Sequence, residues 1–163
     1  MIDNLLYTLH ELSSTLTVQP IPQLGSSNTS TPLDTKSIIP SDAPAGSAYG
    51  AAELLIPTPN ARFPKRYIYV SNRNIGQVTE ERGDSIAIFE LKRGKLQLVN
   101  QFFTGLDQVR GVEFGGKDNE YLVAAGVVGD GGVAVFQRTE GGRNFKEVAR
   151  DTSVLTRTSF VWV

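Results

Sequence analysis

The sequence predicts an all-β fold of repeated four-stranded antiparallel sheets, stacked as the blades of a β-propeller. Three observations carry that expectation. Strand signals recur along the whole chain with almost no helical periodicity, Gly, Pro, Asn, Asp and Ser punctuate them at short intervals, and the pattern repeats. Composition agrees: over 163 residues, 40% apolar and 20% charged is the balance of a globular chain with room for a core, not of a disordered one.

Residues 5–9 and 15–21 are the first β runs. The stretch GSSNTSTP at 25–32 is polar and SDAPAGSAYG at 41–50 is rich in Pro, Gly and Ala; both read as surface insertions, because strands of one kind flank them. Residues 51–56, 67–71, 85–91 and 96–103 give four more strands. The last two are joined by KRGK at 92–95, where glycine supplies the positive φ of a tight turn. The run at 67–71 alternates like a half-buried strand. Residues 109–114, 121–128, 132–137 and 145–150 repeat the set, with GDGG at 129–132 as a hairpin connection and 158–163 as a closing strand.

LLYTLHE (5–11), YIYVSNR (67–73) and YLVAAGV (121–127) can be laid over one another, and each precedes a second β run: TLTVQPI, SIAIFEL and GVAVFQR. AAELLI and VRGVEF stand before the second and third copies, at spacings of 62 and 54 residues. The chain then reads as one partial propeller domain over 1–163. It holds about three blades: an incomplete one at 5–40, one at 51–104, and one with its closing strand at 108–163. Opening on what reads as a second strand, it is expected to be a piece of a larger propeller, or to self-associate through exposed blade faces.

Net charge is −1 and the basic residues are scattered, so neither a nucleic-acid nor an anionic-membrane partner is expected. The densest basic group, Lys92, Arg93 and Lys95, belongs to a hairpin. With no cysteine there is no disulfide framework, cysteine zinc cluster or thiol nucleophile. A basic leader followed by an apolar run is missing, as is any apolar run near ~18 residues, which points to a cytoplasmic protein. GVVGDGG at 126–132 lacks the Gly-Lys-Ser/Thr ending of a phosphate loop, and Ser13–Ser14 has no nucleophile elbow around it. A single histidine, His10, cannot assemble a metal site, and neither metal nor organic cofactor is expected.

Two apolar strands end on charges. YIYVSNR ends on Arg73, and LYTLHEL carries Glu11 at the same place. The same position in successive repeats means the same height on neighbouring blades. Opposite charges there form a structural ion pair or jointly receive an anion, since a buried charge without a partner is strongly unfavourable. Glu53 lies on AAELLI, expected to be the innermost strand lining the central channel, and Arg110 opens the equivalent strand of the next blade. Asn72 either orients Arg73 or caps the hairpin. His10 alternates to the strand face opposite Glu11, where sheet packing or surface exposure accounts for it.

The sequence YVSNRN…GDSIAIFEL, with AAELLIP before it and QVRGVEF…YLVAAG…GGVAVFQR after it, resembles the lactonase family of seven-bladed propellers. That family includes bacterial 6-phosphogluconolactonase and fungal 3-carboxy-cis,cis-muconate lactonising enzyme. LHELSSTLTV at 9–18 resembles the family's strand–Glu–Leu–Ser–Ser segment, and the insert NIGQVTEERG at 74–83 resembles fungal members. The resemblance covers nearly the whole chain and corresponds to about the C-terminal two-fifths of a full member. It implies an active site on the propeller's central face, built in the fungal enzyme from His, Arg and Glu. Glu11 matches the family's catalytic glutamate and Arg73 an arginine of the same site; the other His and Arg of the family come from earlier blades. Glu11 and Arg73 are therefore the catalytic candidates, with Glu53, Arg110, Asn72 and His10 as substrate-binding ones. The implied activity is cofactor-independent lactonisation of a muconate-type dicarboxylate. Hydrolysis of a sugar lactone and a non-catalytic scaffold role are the alternatives, and the fragment alone is expected to be inactive.

Overall fold

A computed structural model of the chain describes residues 4–23, 25, 30–154 and 159–162. Eleven strands account for nearly all of its regular structure: β1 (Leu5–His10), β2 (Thr15–Pro20), β3 (Asp34–Ser37), β4 (Tyr49–Leu55), β5 (Ile68–Asn74), β6 (Ser85–Lys92), β7 (Lys95–Phe103), β8 (Asp107–Gly115), β9 (Tyr121–Val128), β10 (Val133–Thr139) and β11 (Asn144–Asp151). Among the described residues the helical content is one short 3-10 turn, Glu140–Gly142. All pairing is antiparallel and between chain neighbours, in three sheets ordered β1-β2-β3, β4-β5-β6-β7 and β8-β9-β10-β11. These are propeller blades: each strand returns beside its predecessor, so a sheet grows outward from a hub strand.

The turn between β6 and β7 shows how the sequence sets a register. Arg93 and Gly94 both have positive φ, 50° and 76°, the geometry that matches the twist of a two-residue hairpin, and Lys92 pairs with Lys95 across it. β5 and β9 occupy the same place in their blades and β1 matches them, so β4 and β8 have no counterpart in the first sheet among the described residues.

Two apolar slabs hold the blades together. Leu16, Val18 and Ile38 of the first sheet meet Ile68, Val70, Ala87 and Phe89 of the second. Tyr67, Tyr69, Ile86 and Ile88 on the other side meet Leu122, Ala134, Phe136 and Phe145 of the third. The central strand β5 is thus buried on both faces, not half-buried as its alternation suggests, and its run of Tyr, Ile and Val is what such a position requires.

Two elements differ from expectation. β3, DTKS, was not predicted because it has no apolar alternation; it forms by pairing Thr35 with Thr17, and Asp34 accepts the Leu96 N–H of the next blade (2.9 Å). Of the expected closing strand, Thr158 and Val163 lie outside the described residues, and 159–162 join no ladder. Trp162 instead lies flat against Gly115, where even a methyl group would collide with its ring.

Candidate active site

The hub strands carry a matching irregularity. β4 slips by one residue against β5 between Ala51 and Leu54, and β8 slips against β9 between Val109 and Gly111. A bulge of this kind re-aims side chains, and these two turn Glu53 and Arg110 into the space beside the hub. The Ser71 hydroxyl accepts the Glu53 N–H (2.9 Å) and fixes the first bulge.

Glu11 and Arg73 come to the same space from β1 and β5. His10 pairs with Thr15 and Asn72 with Ser85 at the mouths of equivalent hairpins, so the next residue of each strand stands at equal height. Arg73 Nη2 donates to Glu11 Oε1 at 2.5 Å and to the Ala51 carbonyl at 3.4 Å. The pair is asymmetric: Arg73 is 3% exposed, whereas the Glu11 side chain is 63% exposed. The guanidinium is therefore fixed and desolvated, and Nε is buried without a protein partner, while the carboxylate stays in reach of solvent. A cavity of about 320 Å³ opens between them, lined by Leu9, Glu11, Ala51, Ala52, Glu53, Arg73 and Arg110. That volume suits a small ligand.

Electrostatically the cleft holds two carboxylates and two guanidinium groups. Burial pushes the Glu53 carboxyl above the ordinary carboxylate range, and the nearby charge of Glu113 adds to the shift. Arg110 is exposed and makes no ion pair among the described residues, so its guanidinium is open to an anion in the cavity. The arrangement can hold an anion, stabilise developing negative charge on an oxygen, and move a proton through a carboxylate. Among the described residues no three His, Cys, Asp or Glu side chains converge as metal ligands.

Four of the six candidate residues thus meet in one cleft. Asn72 does not: it alternates to the other face of β5 and donates to the Ile38 carbonyl across the blade boundary (3.3 Å). His10 also turns away, its Nε2 bonded to the Thr17 hydroxyl (3.1 Å) on the first sheet. Sequence reasoning passed over Asp84, which is 1% exposed and stands behind the cleft. Its signal was present, an acid directly after Gly83 at the head of an apolar strand. Gly83 has φ +76°, and a side chain there would strike the backbone of Gly105 and Leu106.

A stack of antiparallel blades, one of three strands and two of four, with a charged cleft beside the hub strands defines part of a β-propeller. The chain belongs to the family described as Lactonase, 7-bladed beta-propeller, whose family model matches residues 3–162. Solved structures share the fold. A protein from Lactobacillus plantarum superposes with a TM-score of 0.71 at 20% identity, covering 96% of this chain and 40% of that one. The periplasmic gluconolactonase PpgL of Pseudomonas aeruginosa gives 0.69 at 21% identity, covering 95% and 38%. A Bacteroides fragilis protein provisionally assigned as a 6-phosphogluconolactonase gives 0.67 at 18%, covering 96% and 38%. The chain therefore spans about two-fifths of the length of these structures. None of the curated proteins matches the sequence significantly. No helix among the described residues is long and apolar enough to cross a membrane.

Proposed function

We propose that the hub cleft binds an anionic sugar lactone and hydrolyses it to the open-chain acid. The observation that carries the reading is the meeting of Glu11, Glu53, Arg73 and Arg110 around one cavity in a lactonase-family chain. Arg73, already fixed and desolvated, is the group suited to the oxyanion, because donors that need not reorganise stabilise developing charge most. Arg110, in no ion pair among the described residues, suits the substrate's phosphate or carboxylate by a two-pronged contact. Glu11, in reach of solvent, orients the water. The water oxygen bonds to the lactone carbonyl carbon while its proton passes to Glu11; the ring C–O bond then breaks and that proton goes to the ring oxygen.

The lactonising reading, addition of a carboxylate across a muconate double bond, rests on the insert at 74–83. Hydrolysis is preferred because a gluconolactonase and a protein provisionally assigned as a 6-phosphogluconolactonase share this fold. One assay separates the readings: proton release from gluconolactone and its phosphorylated form, set beside ultraviolet loss of a carboxymuconate, for the chain supplied with the remaining blades of the propeller and for the same assembly carrying Arg73→Ala. Lactone consumption above the spontaneous rate that vanishes in Arg73→Ala is the expected result. A rate unchanged by that substitution overturns the role of Arg73, and activity on the muconate alone overturns hydrolysis.

A further inference from the structure

We infer that Asp84 is a positioning residue that clamps the two arginine-bearing strands of the cleft across the boundary between the second and third blades. The inference rests on the reading of Arg73 and Arg110 as the anion-binding pair. Its geometric basis is one carboxylate divided between two blades. The Asn74 N–H, next in chain to Arg73, donates to Oδ1 at 2.6 Å. The Val109 N–H, immediately before Arg110, donates to Oδ2 at 2.7 Å. Oδ1 thus holds the peptide that follows Arg73 and Oδ2 the N–H of the residue that precedes Arg110, and neither strand can slide without lengthening a charge-assisted hydrogen bond.

Asp84 is itself held rigidly. Its N–H donates to the Leu106 carbonyl (2.7 Å), and its own carbonyl accepts both the N–H and the hydroxyl of Thr104 (2.9 Å each). The Thr104 hydroxyl in turn accepts the Leu106 N–H (3.2 Å), which closes the loop leading into β8. Asn cannot replace this group, because an amide presents one acceptor where two N–H donors converge. Charged or titratable groups facing the carboxylate are Arg73 on its own blade, Asp107 at the start of β8, and, in the adjoining loop and on β4, Glu80 and Tyr49.

The test is an NMR titration of the intact chain. As Asp84 takes up a proton, the amide signals of Asn74 and Val109 should move with one shared midpoint. The side-chain nitrogen signals of Arg73 and Arg110 should follow them. In Asp84→Asn all four lose that shared titration, and binding of 6-phosphogluconate, used as probe, weakens roughly tenfold or more, as expected when a contact group is misplaced by about an ångström. Independent midpoints for the two amides, or an Arg110 signal that ignores the titration, overturn the clamp. If Asp84→Asn fails to fold, the wild-type titration decides alone. A clamp that titrates as expected in a chain that does not bind the probe leaves the positioning role standing and removes the lactonase reading.

Discussion

Two arginines among the described residues are almost completely buried, and their surroundings differ. Arg73 lies at the hub, paired with a carboxylate that is mostly exposed and facing a cavity. Arg138, 4% exposed, lies between the second and third blades with no carboxylate partner among the described residues. Its guanidinium sits 3.9 Å from the Phe63 ring centroid, with Phe114 and Tyr69 at 5.1 and 5.4 Å. Nη1 donates to the Asn119 carbonyl and Nη2 to the Tyr69 hydroxyl, which in turn donates to the Gly142 carbonyl at 2.6 Å. Burial pushes the Tyr69 hydroxyl up to about 12, so it remains a donor at every ordinary pH. A buried charge is therefore not in itself the mark of a site. Each arginine has a buried Nε without a protein partner, but Arg138 gives Nη1 and Nη2 to a carbonyl and a hydroxyl inside an aromatic cage, whereas Arg73 lines a cavity and shares its charge with an exposed carboxylate.

The largest effect should come from Arg138. Replacing it with Ala removes the ring contacts, leaves the Asn119 carbonyl without that donor, and opens a void in the aromatic slab. Urea unfolding should show a loss of about 3 kcal/mol, with the melting temperature lower by roughly 10 °C. Lactone turnover of the folded fraction should be unaffected. A loss of turnover larger than the loss of folded protein would break the distinction between the two arginines.

Arg73→Lys tests the opposite pole. Lysine keeps the charge but loses the planar fork, so turnover should fall roughly a hundredfold while stability changes by about 1 kcal/mol, because the exposed Glu11 can take water in place of its partner. Equal losses of turnover and stability would show that Arg73 is structural in the same sense as Arg138.

The contrast also explains what the sequence made visible. Ten of the strands announce themselves through Val, Ile, Tyr and Phe bounded by turn residues, and the repeat placed Glu11 beside Arg73 because equal positions in a repeat mean equal heights. β3 stayed hidden because DTKS is held by cross-strand threonines and an aspartate, which carry no periodic signal. Glu53 and Arg110 were legible as hub residues, yet the bulges that aim them were not, since a register slip is set by three-dimensional pairing. The cage of Arg138 was not legible at all: Phe63, Tyr69, Phe114 and Asn119 lie far from it in the chain, and nothing in FQRTE distinguishes that arginine from a solvated one.

The smallest effect separates the two regions by pH. Asp84, which adjoins Arg73, has its carboxyl pushed up to about 6, chiefly by burial; the Asn74 and Val109 N–H groups and Arg73 oppose the shift, and Asp107 adds to it. Its ordinary value is 3.8, so the folded chain holds this proton more tightly than the unfolded one. The stabilisation is therefore complete below the unfolded value and is lost as pH rises through about 6. Glu53 is shifted in the same direction. Asp42, Glu80, Glu147 and Asp151 are held low by arginine or serine partners, and their contributions disappear only on acidification below the ordinary carboxylate range. Between about pH 5 and about pH 7.5 the chain should thus lose about 1 kcal/mol of stability, read from urea midpoints at the two values. Asp84→Asn should flatten most of that slope, whereas Arg138→Ala, whose surroundings hold no carboxylate against the guanidinium, should lower both midpoints and leave the slope between them unchanged.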